Sequence, residues 1–150
     1  MARSLRLPAT LVLIAALLAL APSAQAATAP EATVQAINDV RTAHGLRPLS
    51  YSPVLARSAR RYSNFLMRRN ALFHVSPIRA SKRYRSLGEV LAMHRGTRAR
   101  VALTIRQWMH SPPHRAALLN PRYRVAGAGR TIGRFGRMKA TIWVVHLGAR

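Results

Sequence analysis

Cysteine is absent from the chain of 150 residues, and acidic residues nearly so: 3 Asp and Glu stand against 25 Lys and Arg, a formal charge of +22. The first absence excludes a disulfide framework, a cysteine-based zinc site and a thiol nucleophile. Lysine is scarce as well, with Lys82 and Lys139 its only two representatives, so the excess is one of arginine. Aromatic residues make up 6% and do not interleave with the arginines between Arg41 and Arg150, which leaves no stacking platform of the kind that nucleic-acid modules use. What is present in ordinary amount is apolar. Hydrophobic residues at 49% exclude a charge-driven disordered chain and suffice for one domain.

The first 26 residues read as an export signal and not as part of the fold. Arg3 and Arg6 form a basic start, Leu11 to Leu20 an apolar run of ten residues, and Ala24-Gln25-Ala26 the small residues that a signal peptidase reads. Ten residues fall well short of the roughly 20 that span a bilayer, so no transmembrane anchor is expected once the chain is cut after Ala26. Residues 27–31 then read as a short lead-in and 32–150 as the domain. The mature chain is expected outside the cell or at its envelope, where a fold without disulfides rests on its core.

Local patterns place the elements. Pro30 and Glu31 suit a first helical turn, Val34, Ile37 and Val40 recur on one face, and Gly45 stands where that helix ends. A second helix has Ser52 as cap and Pro53 as first residue, with Leu55, Ala59, Tyr62 and Leu66 as its apolar stripe. Arg57 and Arg61 on another face repel one another, a small cost that an anionic partner would relieve. Ser76–Leu87, with Arg79, Lys82, Arg83 and Arg85, reads as a loop leading to Gly88-Glu89. A third helix starts near Thr97, presents Val101, Ile105, Trp108 and Met109, and stops at Pro112-Pro113. Ser111 is expected to cap a short helix, His114 to Leu119, at a value of about 1 kcal/mol. Arg124–Arg130 and Ala140–Leu147 read as a late hairpin turned by Gly133 and Gly136. Helices followed by a hairpin indicate an α+β domain.

Taken in order, Asn38-x-x-Arg41, Gly45-Leu46-x-Pro48-Leu49, Phe73-His74-x-Ser76, Gly88-Glu89, Trp108-Met109-x-Ser111-Pro112-x-His114-Arg115-x-x-Leu118-Leu119-Asn120-Pro121 and Gly127-x-Gly129 resemble the CAP superfamily. That superfamily comprises the cysteine-rich secretory proteins, antigen 5 and the pathogenesis-related proteins, and its unit is also called the SCP domain. The resemblance runs from about Ala32 to Gly148 and is to the short, cysteine-free bacterial branch. It implies an α-β-α sandwich with a central antiparallel sheet. It also implies a cleft in which two histidines, able to hold zinc or another divalent cation, meet acidic residues. By that likeness His74 and His114 are the metal-binding histidines, Glu89 is an acidic cleft residue, and Ser111 stands at the second acidic position. Val90 replaces the asparagine that usually follows the glutamate.

Without the likeness, His74 reads as a ring packed behind Phe73, His114 as a first-turn residue, and Glu89 as an acid that pairs with an arginine or orients a histidine. His44, His94 and His146 fall to packing or solvent-facing roles, and Trp108 and Trp143 to the core. Two functions come into view. One is a secreted, monomeric, non-enzymatic module that binds an anionic envelope polymer through its arginines, or a lipid in an apolar groove. The other is a metal-dependent hydrolase of a peptide or cell-wall substrate, with Glu89 as general base and Arg115 as oxyanion stabiliser. No G-x-S-x-G elbow supports a serine nucleophile.

Overall fold

The computed structural model describes residues 26–149. Helix α1 (Ala29–Ala43) begins where the start signals are concentrated: Glu31 N donates to Thr28 Oγ1 while the Glu31 carboxylate accepts from Thr28 N at 2.8 Å, and a proline sits in the first turn. The helix thereby takes in part of the stretch expected as a lead-in. The expected leader lies outside the described residues except for Ala26. Past the end of α1, Gly45 adopts φ +70, a left-handed backbone open to glycine. Strand β1 (Ser50–Tyr51) follows, then α2 (Pro53–Arg69), capped by Ser52 Oγ accepting from Leu55 N at 3.3 Å.

Strand β2 (Ser86–Arg95), helices α3 (Val101–His110) and α4 (Pro112–Leu118), and strands β3 (Val125–Phe135) and β4 (Met138–Ala149) complete the fold. The expected hairpin is β3–β4, but Gly133 lies inside β3 and only Gly136, at φ +59, makes the turn. β2 escapes pattern reading for a physical reason. Val90, Leu91 and Ala92 are buried in succession because both faces of the strand are covered, so no apolar–polar alternation marks it.

The sheet runs in the order β1-β3-β4-β2. It is antiparallel except that β1 pairs with β3 in parallel, which makes the expected antiparallel sheet a mixed one at its shortest strand. On one face α1, α3 and α4 supply Val34, Ile37, Ile105, Trp108 and Leu118 to a core with Val90, Trp143, Val145 and Leu147. On the other, Ala59, Leu66 and Met67 of α2 pack on Leu91, Ile142 and Val144. The result is an α-β-α sandwich. α2 presses on β3 so closely that a Cβ at Gly127 or Gly129 would run into the α2 backbone at Ala56 or Arg60.

Backbone carbonyls take up several of the polar groups inside this frame, while Arg41 Nη2 and Trp143 Nε1 are buried without a partner. The fully buried Arg41 donates from Nε to the Arg47 carbonyl at 3.0 Å and from Nη1 to those of Leu118 and Asn120 at 2.7 and 3.1 Å, tying α1 to the end of α4. Asn38 exchanges two hydrogen bonds with the Leu49 backbone, at 2.9 and 2.7 Å. Trp108 is 1% exposed and its indole donates to the Leu91 carbonyl at 2.7 Å, linking α3 to β2. Trp108→Ala would leave both a cavity and an unmet carbonyl, and denaturant unfolding is expected to show a loss of about 3–5 kcal/mol.

His94 on β2 is buried beside α3, with Nε2 2.8 Å from Thr104 Oγ1. Burial, and after it the charge of Arg100, hold its pKa below the ordinary value of 6.5. The unfolded chain therefore takes up a proton there that the folded chain refuses. Its contribution is full above pH 6.5 and is lost as the pH falls from there through the lowered folded value. Denaturation midpoints at about pH 7.5 and about pH 5 are expected to differ, the acidic one being lower, and His94→Gln to narrow that difference.

Candidate functional site

β2 is an edge strand, and its register with β4 sets Glu89 opposite His146. Residues directly opposed in an antiparallel pair share a face, so the register alone brings carboxylate to imidazole. Glu89 Oε2 lies 3.0 Å from His146 Nε2, with the two side chains 3% and 2% exposed. His74, from the irregular stretch between α2 and β2, places Nδ1 2.9 Å from Glu89 Oε1 and stays largely exposed. Both oxygens of the carboxylate thus accept from ring N–H groups, which leaves His74 Nε2 facing outward. His146 Nδ1 is buried without a hydrogen-bond partner. Gly88 is required beside this arrangement, because a Cβ there would collide with the ring of Tyr123.

Tyr62 of α2 closes the inner side of the group. Its ring lies 6.3 Å from that of His146, and its hydroxyl donates to the Phe73 carbonyl at 2.7 Å, fixing the residue before His74. Burial, with a smaller push from the charge of Glu89, raises the Tyr62 pKa to about 12, so the phenol remains a donor at neutral pH. From α4, His114 brings its ring to 5.8 Å from that of His74, centroid to centroid. Burial first, and His74 second, lower the His114 pKa, which favours the neutral ring with a free lone pair.

The cleft itself has a volume of about 850 Å³ and runs along residues 74–89, with His74 and Glu89 at one end and Arg79, Lys82 and Arg85 on its wall. Ser111, His114 and Arg115 do not line it, and His114 reaches the group only through its ring contact with His74. Ser111 occupies the N-cap position of α4 but makes no side-chain capping bond, contrary to the expectation above. Pro113 has no N–H to offer, and the N–H of His114, the other group an N-cap serves, is not taken up by Ser111 Oγ, so what Ser111 contributes is its carbonyl, which accepts from Arg115 N at 2.8 Å. Arg115 turns instead to α1, with Nη2 3.4 Å from His44 Nε2.

His146 is the member of this group that sequence reasoning assigned elsewhere. It sits among Val144, Val145 and Leu147 and looks like one more core position, and only the β2–β4 register discloses its partner. As for a metal, no three His, Cys, Asp or Glu side chains converge on a common position among the described residues. The donors on offer are His74 and His114, the first oriented by a carboxylate as metal-binding histidines commonly are. Two imidazoles fit an open divalent site completed by solvent and do not fit a closed four-ligand zinc site.

Removing the acid from this arrangement is expected to be costly where removing the idle hydroxyl is not. By denaturant unfolding, Glu89→Ala should lose about 3 kcal/mol, since it strands a buried imidazole. Glu89→Gln should lose less, because an amide oxygen still accepts one ring N–H. Ser111→Ala should change stability by under about 0.5 kcal/mol.

Comparison with known proteins agrees with this architecture. The cysteine-rich secretory protein family, CAP, matches residues 34–147. The chain is 31% identical over 105 residues to YkwD of Bacillus subtilis (strain 168), a match that takes in 64% of this chain and 40% of that protein. The chain thus spans well under half the length of this curated relative. Among solved structures it resembles an outer surface protein from Borrelia burgdorferi, with TM-score 0.61 and 21% identity over 78% of this chain and 89% of the other. It also resembles Schistosoma mansoni venom allergen-like protein 4, with TM-score 0.65 and 12% identity over 83% and 90% of the two chains. An extracellular SCP-domain protein from Bacillus anthracis gives TM-score 0.61 and 19% identity, over 81% of this chain and 40% of that one. A sandwich that seats a glutamate between two histidines at its sheet edge, together with a family match across nearly the whole described domain, makes this chain a member of the CAP family.

Proposed function

We propose that the chain is an exported, monomeric, non-enzymatic module that binds an anionic polymer of the cell envelope in the cleft along residues 74–89. His74 and His114 would hold a divalent ion, zinc first, beside the cleft at His74. The observation that carries this reading is the pairing of a cation-lined wall with a fully engaged acid. Arg79, Lys82 and Arg85 face the cleft, whereas Glu89 has both oxygens occupied and is nearly inaccessible. A carboxylate in that state orients two rings and is closed off from solvent, which argues against the general-base role that a hydrolase would need. A bound divalent ion would supply charge to an anionic ligand, with Glu89 holding His74 in its metal-binding tautomer.

Lipid is the second ligand class. Tyr62, Phe65, Val75 and Ile78 enclose a groove of about 250 Å³, and Phe65, Leu72 and Phe73 stand 38%, 41% and 43% exposed nearby. No helix among the described residues is long and apolar enough to cross a membrane. Such a patch would dock on a bilayer or a lipid from outside.

Two measurements test the reading on the chain from Ala27 to Arg150, which holds every described element. A calorimetric zinc titration is expected to show binding that is lost in the His74→Ala, His114→Ala double variant, and equal behaviour of the two would leave those rings structural. Binding to polyglycerol phosphate is expected to weaken steeply with salt and to fall in Lys82→Gln, Arg85→Gln. Salt-insensitive binding to uncharged vesicles alone would favour the lipid instead, and turnover of a wall substrate lost in the histidine variant would make the protein a hydrolase.

A further inference from the structure

Four arginines lie along the β3 side of the sheet. A hollow of about 400 Å³ opens there between the start of α1, β1, α2 and β3, and Tyr51, Arg57, Arg60, Arg61 and Arg130 line it. The three α2 arginines fall at spacings of three and four residues, so the helix itself forces like charges together. Arg130 joins them from β3, where its guanidinium lies 5.4 Å above the Trp143 ring and Nη2 donates to the Thr97 carbonyl. It is thereby held in place, and its Nε is enclosed with no hydrogen-bond partner. Contact of the Gly129 backbone with that of Arg60 fixes α2 against the strand at this level.

One carboxylate stands beside this charge, that of Glu31 on the lining residue Thr28, and it pairs with none of the arginines. The ion pairs among the described residues are both between a histidine and Glu89. Asp39 accepts from Gln35, and Glu31, the acid whose charge reaches Tyr51, turns its carboxylate onto the backbone and hydroxyl of Thr28. Burial and the neighbouring Arg60 draw the Arg130 pKa down, a sign that the guanidiniums feel one another. Planar guanidiniums bind phosphoryl oxygens in pairs, and four arginines, three from α2 and Arg130 from the other face of β3, line a space within the roughly 300–1,000 Å³ of small-ligand sites. One carboxylate would leave most of these donors unused. A short run of linked phosphoryl groups would not.

We propose that this hollow binds an oligophosphate group, two or more linked phosphoryl units, with the guanidiniums of Arg57, Arg60, Arg61 and Arg130 as its donors. The hollow shares no lining residue with the cleft, although Arg61 also lines the groove beside it.

The test is calorimetric titration of the chain from Ala27 to Arg150 with tripolyphosphate at about 0.15 M salt, where diffuse attraction is screened. One saturable site is expected in the wild type, with affinity at least tenfold lower in Arg60→Gln, Arg130→Gln. Since Arg130 packs on Trp143, the exposed pair Arg57→Gln, Arg60→Gln repeats the test without touching the core. Arg122→Gln, Arg137→Gln removes the same charge elsewhere and is expected to bind within twofold of wild type. Geranyl diphosphate in place of tripolyphosphate distinguishes an esterified diphosphate from the free anion as the preferred source of the same chemistry. Absence of saturable binding would overturn the site. So would an equal loss in the control pair, which would mean general charge attraction, or loss in the His74→Ala, His114→Ala variant, which would move the ligand to the cleft.

Discussion

Of the three acids in the chain only Glu89 has a buried side chain, and the β2 edge of the sandwich is organised around it. A buried carboxylate costs several kcal/mol unless its charge is answered by donors held in place. Here the donors come from two separate segments: His146 from β4 and His74 from the stretch between α2 and β2. Their rings lock that stretch, and with it the wall of the cleft, onto the sheet. Because Glu89 is spent on histidines, and Glu31 and Asp39 on Thr28 and Gln35, the arginines find their partners among carbonyls. Arg41 clamps those of Arg47, Leu118 and Asn120, Arg124 reaches those of Pro121 and Tyr123, and Arg130 reaches that of Thr97.

α1 and α2 were legible because what starts and stops them is local, whereas α3, expected from near Thr97, begins at Val101 behind a left-handed Arg100, and α4, expected from His114, begins at Pro112, both without a side-chain cap. Thr28, Glu31, Ser52, Pro53 and Gly45 act within one turn of themselves, so a reader of the sequence meets cause and effect together. β2 lacks that locality, since its burial is decided by layers on both faces. The site was half legible for the same reason. His74, Glu89 and His114 came forward through resemblance and are brought together, whereas His146 lies 57 residues from Glu89 and is announced by nothing nearby. Ser111 shows the converse error. A residue of the right type in the right place makes no cap here, although the N–H of His114 three residues on is of the kind that Ser52 caps in α2.

The residues that carry the family resemblance prove to be mostly architectural. Asn38 and Arg41 pin turns and helix ends, Gly88 clears Tyr123, Trp108 joins α3 to β2, and Gly127 and Gly129 admit α2 to the sheet. A pattern made of such residues identifies a fold and says little of a ligand. What differs from one protein to the next is then the charge set around the frame, and here that charge is arginine paired with no acid among the described residues.

That imbalance couples the cleft and the hollow in a definite way. A divalent ion held by His74 and His114 would bring positive charge into a chain already at +22, with Glu89 the only nearby acid to offset it. The general field therefore opposes the metal, and an anion in the cleft would lower that opposition. By linkage the metal would strengthen the anion in equal measure. An anion in the arginine hollow acts on the same field, because Arg61, which lines the hollow, also lines the groove that shares Val75, Pro77, Ile78 and Arg79 with the cleft. Metal and cleft ligand should thus reinforce one another most, and an anion in the hollow should favour both to a smaller degree.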